Sequence, residues 1–258
     1  MTRLLSGIAL AAIALAAILL FSPFALRLMA CLVAALAARE YIGVLHQNGR
    51  PPHALPLLVL VVVTCWWMSQ TTQDDLLPLL LLGLGWFAVE VLFFGLTVDR
   101  AAARFLAPWY IGMPLGMLVA VHTIGGHMAT LLLLATIVVS DSAQFYTGRL
   151  VGRRPLAPTI SPKKTVEGAL GGLVFATVLI VVAGPSLLPA AGRLSLALLG
   201  VSLAVLGICG DLFESRLKRI AGVKDSSRMI PGHGGILDRI DALLFATPAF
   251  YLYLRAWT

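Results

Sequence analysis

The chain has 258 residues, 59% of them hydrophobic and only 12% charged, with a mean hydropathy of +0.94. Soluble domains are nearer half apolar and a quarter charged, so composition excludes an ordinary soluble globular protein and favours an integral membrane one. The net charge of +7 does not call for nucleic acid, because the basic residues fall in short loops between apolar runs, where membrane topology and anionic phosphate account for them.

Nine apolar segments follow one another along the chain, at about 4–21, 23–45, 54–70, 76–95, 105–123, 126–147, 165–187, 193–217 and 236–256. A spanning helix needs about 20 mostly apolar residues. Helices are the expected form, because lipid offers no partner to an unpaired backbone group. The first run, "GIALAAIALAAILLF" behind Arg3, reads as a span and not as a signal peptide, since no soluble domain follows it. Turns are marked by "SPF", "NGRPPH" and "GPSLLPAAGR". Cys31, Cys65 and Cys209 all sit in apolar runs; an odd, scattered set gives neither a disulfide framework nor metal-ligand spacing. The expectation is an all-α polytopic membrane protein of about nine transmembrane helices. It divides into an N-terminal bundle over residues 1–125 and a C-terminal catalytic region over 126–258.

Charge sets the expected orientation. The loops after the even-numbered segments hold most of the Lys and Arg, Arg50, Arg100, Arg104, Arg149, Arg153 and Arg154 among them. Together with Arg3, Arg39 and Arg239, that side carries 16 of the 19. The positive-inside rule makes it cytoplasmic. The N-terminus is then inside and the C-terminus outside. The two polar stretches, 148–164 and 216–235, share the cytoplasmic face.

Three clusters carry chemistry. The first is "SDSAQFYTGRLVGRRPLAPTISPKKTVEG", residues 140–168. Asp141 stands where an apolar span ends, and Lys163 and Lys164 precede an expected helix start, a combination that can hold an anion. A solvated basic loop is the plainer reading of the same lysines. The second is "GDLFESRLKR", residues 210–219, where Asp211 and Ser215 share a helix face and Glu214 sits beside them. A carboxylate at that depth is costly and is a functional candidate, unless it merely pairs with a basic neighbour. The third is "MIPGHGGILDRID", residues 229–241. Asp238 and Asp241 lie three apart at the start of the last helix, as a cation site or as simple capping of the helix dipole. The glycines allow close backbone approach, and exposed N–H groups there would suit phosphate. His233 is a phosphate donor, an acid–base group or a hydrogen-bonding partner of its neighbours. Acids for a divalent cation beside bases for phosphates indicate phosphoryl or nucleotidyl transfer to a lipid.

The segment "SRLKRIAGVKDSSRMIPGHGGILDRID", residues 215–241, closely resembles the signature of the phosphatidate cytidylyltransferases (CDP-diacylglycerol synthases). "GDLFES" and "ISPKKTVEGALGG" resemble further blocks of that family, and the likeness departs at "DSAQFYTG", where Ala143, Gln144 and Phe145 replace a commoner pattern. The resemblance implies transfer of CMP from CTP to phosphatidate, giving CDP-diacylglycerol and pyrophosphate, with Mg²⁺ and room for a second cation. It implies Asp211 and Asp238 as metal ligands, with Asp241 a further ligand or the group orienting Arg239. Lys163, Lys164, Ser215, Lys218, Arg219, Lys224, His233, Gly234, Gly235 and Arg239 would serve substrate, Lys224 also counting with Asp211, Asp238 and Asp141 in the catalytic set. It further implies a homodimer in a bacterial-type inner membrane, with the site facing the cytoplasm and no nucleic-acid partner. Another lipid phosphate as acceptor (polyprenyl or ether-linked) and a non-catalytic lipid-binding or transport protein are the competing readings.

Overall fold

The computed structural model describes residues 2–46, 53–70, 76–227, 229, 230, 232 and 234–257. Among these are nine α-helices: α1 (Thr2–Leu20), α2 (Pro23–Leu45), α3 (Ala54–Met68), α4 (Leu77–Phe93), α5 (Val98–Ala107), α6 (Met113–Val151), α7 (Val166–Ala183), α8 (Arg193–Ile220) and α9 (Leu237–Trp257). They follow the apolar segments except around the fifth, where α5 begins early and α6 runs through the fifth and sixth segments together. Four stretches are long and apolar enough to cross a membrane: Pro23–Leu45, Val98–Val151, Val166–Ser186 and Arg193–Ile220. Ser6–Leu20, Ala54–Met68 and Leu77–Phe93 are shorter apolar helices. Large apolar side chains such as Leu20, Leu92, Phe93, Val182 and Leu194 are exposed, while Glu40, Glu90, Arg104 and Glu214 are buried. Water would penalise that distribution, and hydrocarbon suits it.

Two compact units form, Met1–Ala120 with Ala221–Ile240, and Val121–Ile220 with Asp241–Thr258. The signature loop before α9 thus folds with the N-terminal helices, whereas the sequence division at 125/126 grouped it with the C-terminal ones.

In the first unit, Ser22 caps α2 by accepting from Ala25 N (3.3 Å), with Pro23 at the first helical position. α5 starts at Val98, earlier than the 105 expected, and continues through a π-helical turn, Pro108–Gly112, into α6. A Cβ on Gly112 would lie 2.5 Å from the Val61 carbonyl, and one on Gly116 would collide with that of Cys65. These glycines let the backbone of α3 come close. Arg104, expected in a cytoplasmic loop, is instead a buried residue of α5. It is paired with Glu90 of α4 at 2.6 Å, both side chains 1% exposed. The α4–α5 connection is too short to hold a loop there, so the helix carries Arg104 inward. Glu90 also accepts from Trp86 Nε1 (2.8 Å), and Arg104 donates to the His53 carbonyl (3.1 Å).

In the second unit, Gly126 (φ 68°, ψ −172°) interrupts α6 at the boundary expected between the fifth and sixth segments. Past α6 the predominantly helical fold carries one small addition. A small antiparallel ribbon pairs β1 (Pro155–Ala157) with β2 (Ser161–Thr165). Pro155 and Pro162 bar the helix and bias the preceding residues to extended backbone. α7 then lies along α8, and the small residues of "GALGG" admit α6. A Cβ on Gly172 would meet Gln144 Cγ at 2.5 Å, and one on Gly200 would meet Thr177 Cα at 2.6 Å.

Candidate functional site

The chemistry-bearing residues gather into two clusters, one in each compact unit.

In the second unit, Asp211 sits two turns from the end of α8. Its Oδ2 pairs with Lys164 Nζ of β2, and its Oδ1 accepts from Ser215 Oγ (3.2 Å), the same-face partner expected from the spacing. Asp141 of α6 accepts from Gln144 Nε2 (3.1 Å). Gln144 also donates to Ser140 Oγ (3.3 Å), so the residue where the resemblance departs is the one that steadies Asp141. Asp141, Asp211, Lys163, Lys164, Arg149 and Gln144 line a cavity of about 420 Å³, within the size range of small-molecule sites. Asp241, at the start of α9, lies within electrostatic reach of Asp211, Asp141 and Lys218. Gly210 brings α8 and α9 into contact here, since a Cβ on it would collide with the Asp241 carbonyl.

The ribbon sets the lysines. Thr165 caps α7, accepting from Gly168 N (3.1 Å), and Val166 N donates to the Arg154 carbonyl (2.9 Å). Glu167 Oε2 accepts from the N–H groups of Arg153 (2.9 Å) and Arg154 (3.2 Å). The lysines and the helix end together were expected to bind an anion; at that end the Val166 and Gly168 N–H groups are paired within the protein. Lys218 pairs with buried Glu214 (2.6 Å), and Arg219 donates to the Ile160 carbonyl (3.4 Å), fixing the ribbon's turn to α8.

In the first unit, the signature loop closes on itself. Asp238 Oδ2 accepts from Ser226 N (3.0 Å), Ser226 Oγ (2.9 Å) and Gly235 N (2.7 Å). Glu40 of α2, which sequence reasoning missed, accepts from Ser226 Oγ (3.0 Å), Ser227 Oγ (2.7 Å), Ile236 N (3.0 Å) and Leu237 N (2.8 Å). Exposed N–H groups of "PGHGG" were expected to suit phosphate; here Gly235 N donates to Asp238, and the next two N–H groups, of Ile236 and Leu237, donate to Glu40. Gly234 takes a positive φ of 80°, a backbone region suited to glycine. Lys224 and Arg239 are exposed. His233 lies outside the described residues. Asp238, in the first unit, accepts from the loop, and Asp241, in the second, lies within reach of Asp211 and Asp141.

Among the described residues no group of three His, Cys, Asp or Glu side chains is gathered to hold a metal ion. Mg²⁺ does not need one. It is commonly held by one or two carboxylates, with waters and substrate phosphates completing the octahedron. Asp211, with Asp141 and Asp241 near it and a lysine already balancing its charge, fits that donor set.

The cytidylyltransferase family model matches residues 1–257. The chain belongs to the cytidylyltransferase family. Among curated relatives, an uncharacterized Escherichia coli protein, YnbB, is 42% identical over 167 residues, 65% of this chain and 54% of that protein. The phosphatidate cytidylyltransferase of Bacillus subtilis is 39% identical over 164 residues, 63% of this chain and 61% of that one. That of Pseudomonas aeruginosa is 34% identical over 269 residues, covering 98% and 96%. The chain thus spans little more than half the length of the first two relatives in the matched region, and nearly all of the third.

Proposed function

We propose that this cytidylyltransferase family member transfers CMP from CTP to phosphatidate, giving CDP-diacylglycerol and pyrophosphate. The observation that carries the reading is the cavity where Asp211 and Lys164 meet, lined by further acids and bases, in a chain matched by the family over its whole length. The names of the Bacillus and Pseudomonas relatives supply the acceptor.

In the reaction, an oxygen of the lipid phosphate forms a bond to the α-phosphorus of CTP, and the bond from that phosphorus to the bridging oxygen of pyrophosphate breaks. Such a step depends on positioning and charge neutralisation more than on covalent help from the protein. Asp211 is assigned to the cation, with Asp238 and Asp241 as the further carboxylates. When bound, Mg²⁺ supplies charge neutralisation at the phosphate oxygens. Lys164, which pairs with Asp211, would hold phosphate once that carboxylate serves the cation. Lys163, Lys218, Arg219, Lys224 and Arg239 offer further positive charge to the triphosphate and the lipid phosphate. Asp141, steadied by Gln144, orients the nucleotide or its cation. The reading includes an N-terminus in the cytoplasm, about nine crossings of the cell membrane, a cytoplasm-facing site and a homodimer.

The test is direct. Purified protein in detergent, given CTP and phosphatidate, is expected to form CDP-diacylglycerol with Mg²⁺ and none with excess EDTA. Parallel reactions with polyprenyl phosphate and an ether-linked phosphatidate analogue separate the acceptors. No liponucleotide from any phosphatidate would overturn the reading.

A further inference from the structure

We propose that Glu40 is a positioning residue that clamps the signature loop and sets Asp238 for the reaction; the inference rests on the function proposed above. Glu40 lies in the apolar helix α2 and is 5% exposed. An acid so deep in an apolar helix is costly unless its oxygens are satisfied. The four donors around it all come from one short segment: Ser226 and Ser227 at its entry, and Ile236 and Leu237 at its exit. One side chain therefore ties both ends of a loop of about a dozen residues, more than 180 positions away in sequence.

The exit contacts have a second effect. Ile236 N and Leu237 N stand at the start of α9, where N–H groups lack partners within the helix. The Glu40 carboxylate meets them and the positive end of the helix dipole at once. Each oxygen receives one backbone N–H, Ser227 adds its hydroxyl to Oε1, and Ser226 brings to Oε2 a hydroxyl that it shares with Asp238, so three or four donors take up the acceptor sites of the carboxylate. Glu40 is therefore a clamp and not a ligand for the cation.

Coupling to Asp238 runs through Ser226. Its hydroxyl lies 3.0 Å from Glu40 Oε2 and 2.9 Å from Asp238 Oδ2, with a single proton to give. Gly235 completes the joint, because a Cβ on it would fall on Ser226 Oγ and Glu40 Oε2. Moving Glu40 moves Ser226, the start of α9, and Asp238 with them.

Glu40→Gln tests this. The amide keeps the shape but turns a donor toward donors. The variant is expected to lose about 10–100-fold in kcat and to need more Mg²⁺ for half-maximal activity, as for groups that orient ligands from behind. Hydrogen exchange should rise in peptides covering 226–237 while peptides of α3 keep their protection. Wild-type kcat and Mg²⁺ response overturn the proposal, as does unchanged exchange in 226–237. If Glu40→Gln does not fold, Ser227→Ala, which deletes one donor and keeps the carboxylate, is read the same way. If the wild-type protein makes no CDP-diacylglycerol, the proposed reaction fails, and the exchange measurement still decides whether the clamp exists.

Discussion

At the scale of single residues, Asp211 and Lys164 form the ion pair on which the proposed reaction turns. In that proposal the ammonium balances a carboxylate that would hold the cation, so the two variants should fail differently. Asp211→Asn keeps size and the Ser215 contact but removes the charge, and kcat is expected to fall by about 10²-fold or more. Gel filtration and melting in detergent should stay near wild type, since the Asp211 side chain is 33% exposed. Lys164→Met leaves Asp211 in place and removes a phosphate partner. A lost charged hydrogen bond is worth roughly 1.5–3 kcal/mol, so kcat/KM for CTP should fall about 10–100-fold. Near-wild-type kinetics in either variant would remove that residue from the site. Gly235→Ala adds only a methyl group, but it forces Ser226 and Glu40 apart. Its activity should fall toward that of Glu40→Gln, and a fully active Gly235→Ala would show that the joint tolerates what its geometry forbids.

At the scale of elements, the helices were legible because lipid leaves hydropathy as the main signal, and eight of the nine apolar segments recur within a few residues of their expected ends. The misses have physical causes. α5 was read as a loop because Asp99, Arg100 and Arg104 broke the apolar run. Arg104 instead turns inward to Glu90, which also accepts from Trp86 Nε1, and donates to the His53 carbonyl. The β1–β2 ribbon was invisible because five residues rich in Lys and Pro carry no alternating pattern. Glu40 was passed over although the rule that selected Asp211, an acid inside an apolar helix, applies to it and to Glu90 equally. What the sequence could not show was its partner, a loop nearly 190 residues on. The Glu90–Arg104 pair is itself testable. Removing one member leaves a buried uncompensated charge, and Glu90→Gln is expected to destabilise the protein by roughly 3–5 kcal/mol. The double variant Glu90→Leu with Arg104→Met, which replaces both charges by apolar groups, should recover much of that loss. A melting temperature in detergent that is unchanged in Glu90→Gln would mean that the pair contributes little to holding α4 against α5.

At the scale of the whole molecule, the remaining question is the number of crossings, and α9 decides it. Its 21 residues would reach about 30 Å, the thickness of the hydrocarbon core. Its charges lie at its ends: Asp238, Arg239 and Asp241 at the first, and Arg255 at the last, with residues 242–254 uncharged between them. Arg255 donates to the Tyr251 hydroxyl (3.3 Å), so the aromatic group carries it at the far end. That pattern fits a helix whose acidic start sits at one interface and whose tail reaches the other. Leaving out the buried Arg104, fifteen of the 19 Lys and Arg fall on the side of the acidic start if every apolar segment crosses. An odd number of crossings then leaves the N-terminus in the cytoplasm and the end of α9 outside. Alkaline phosphatase fused behind Trp257 should accordingly be active, and a cysteine at Arg153 should react with an impermeant thiol reagent only after the cells are opened. An inactive phosphatase with the same cysteine result would mean that one helix, most simply α9 or one of the 15-residue helices, enters the membrane without crossing it. The ribbon lysines would remain cytoplasmic in that case, and the reaction would keep its access to CTP.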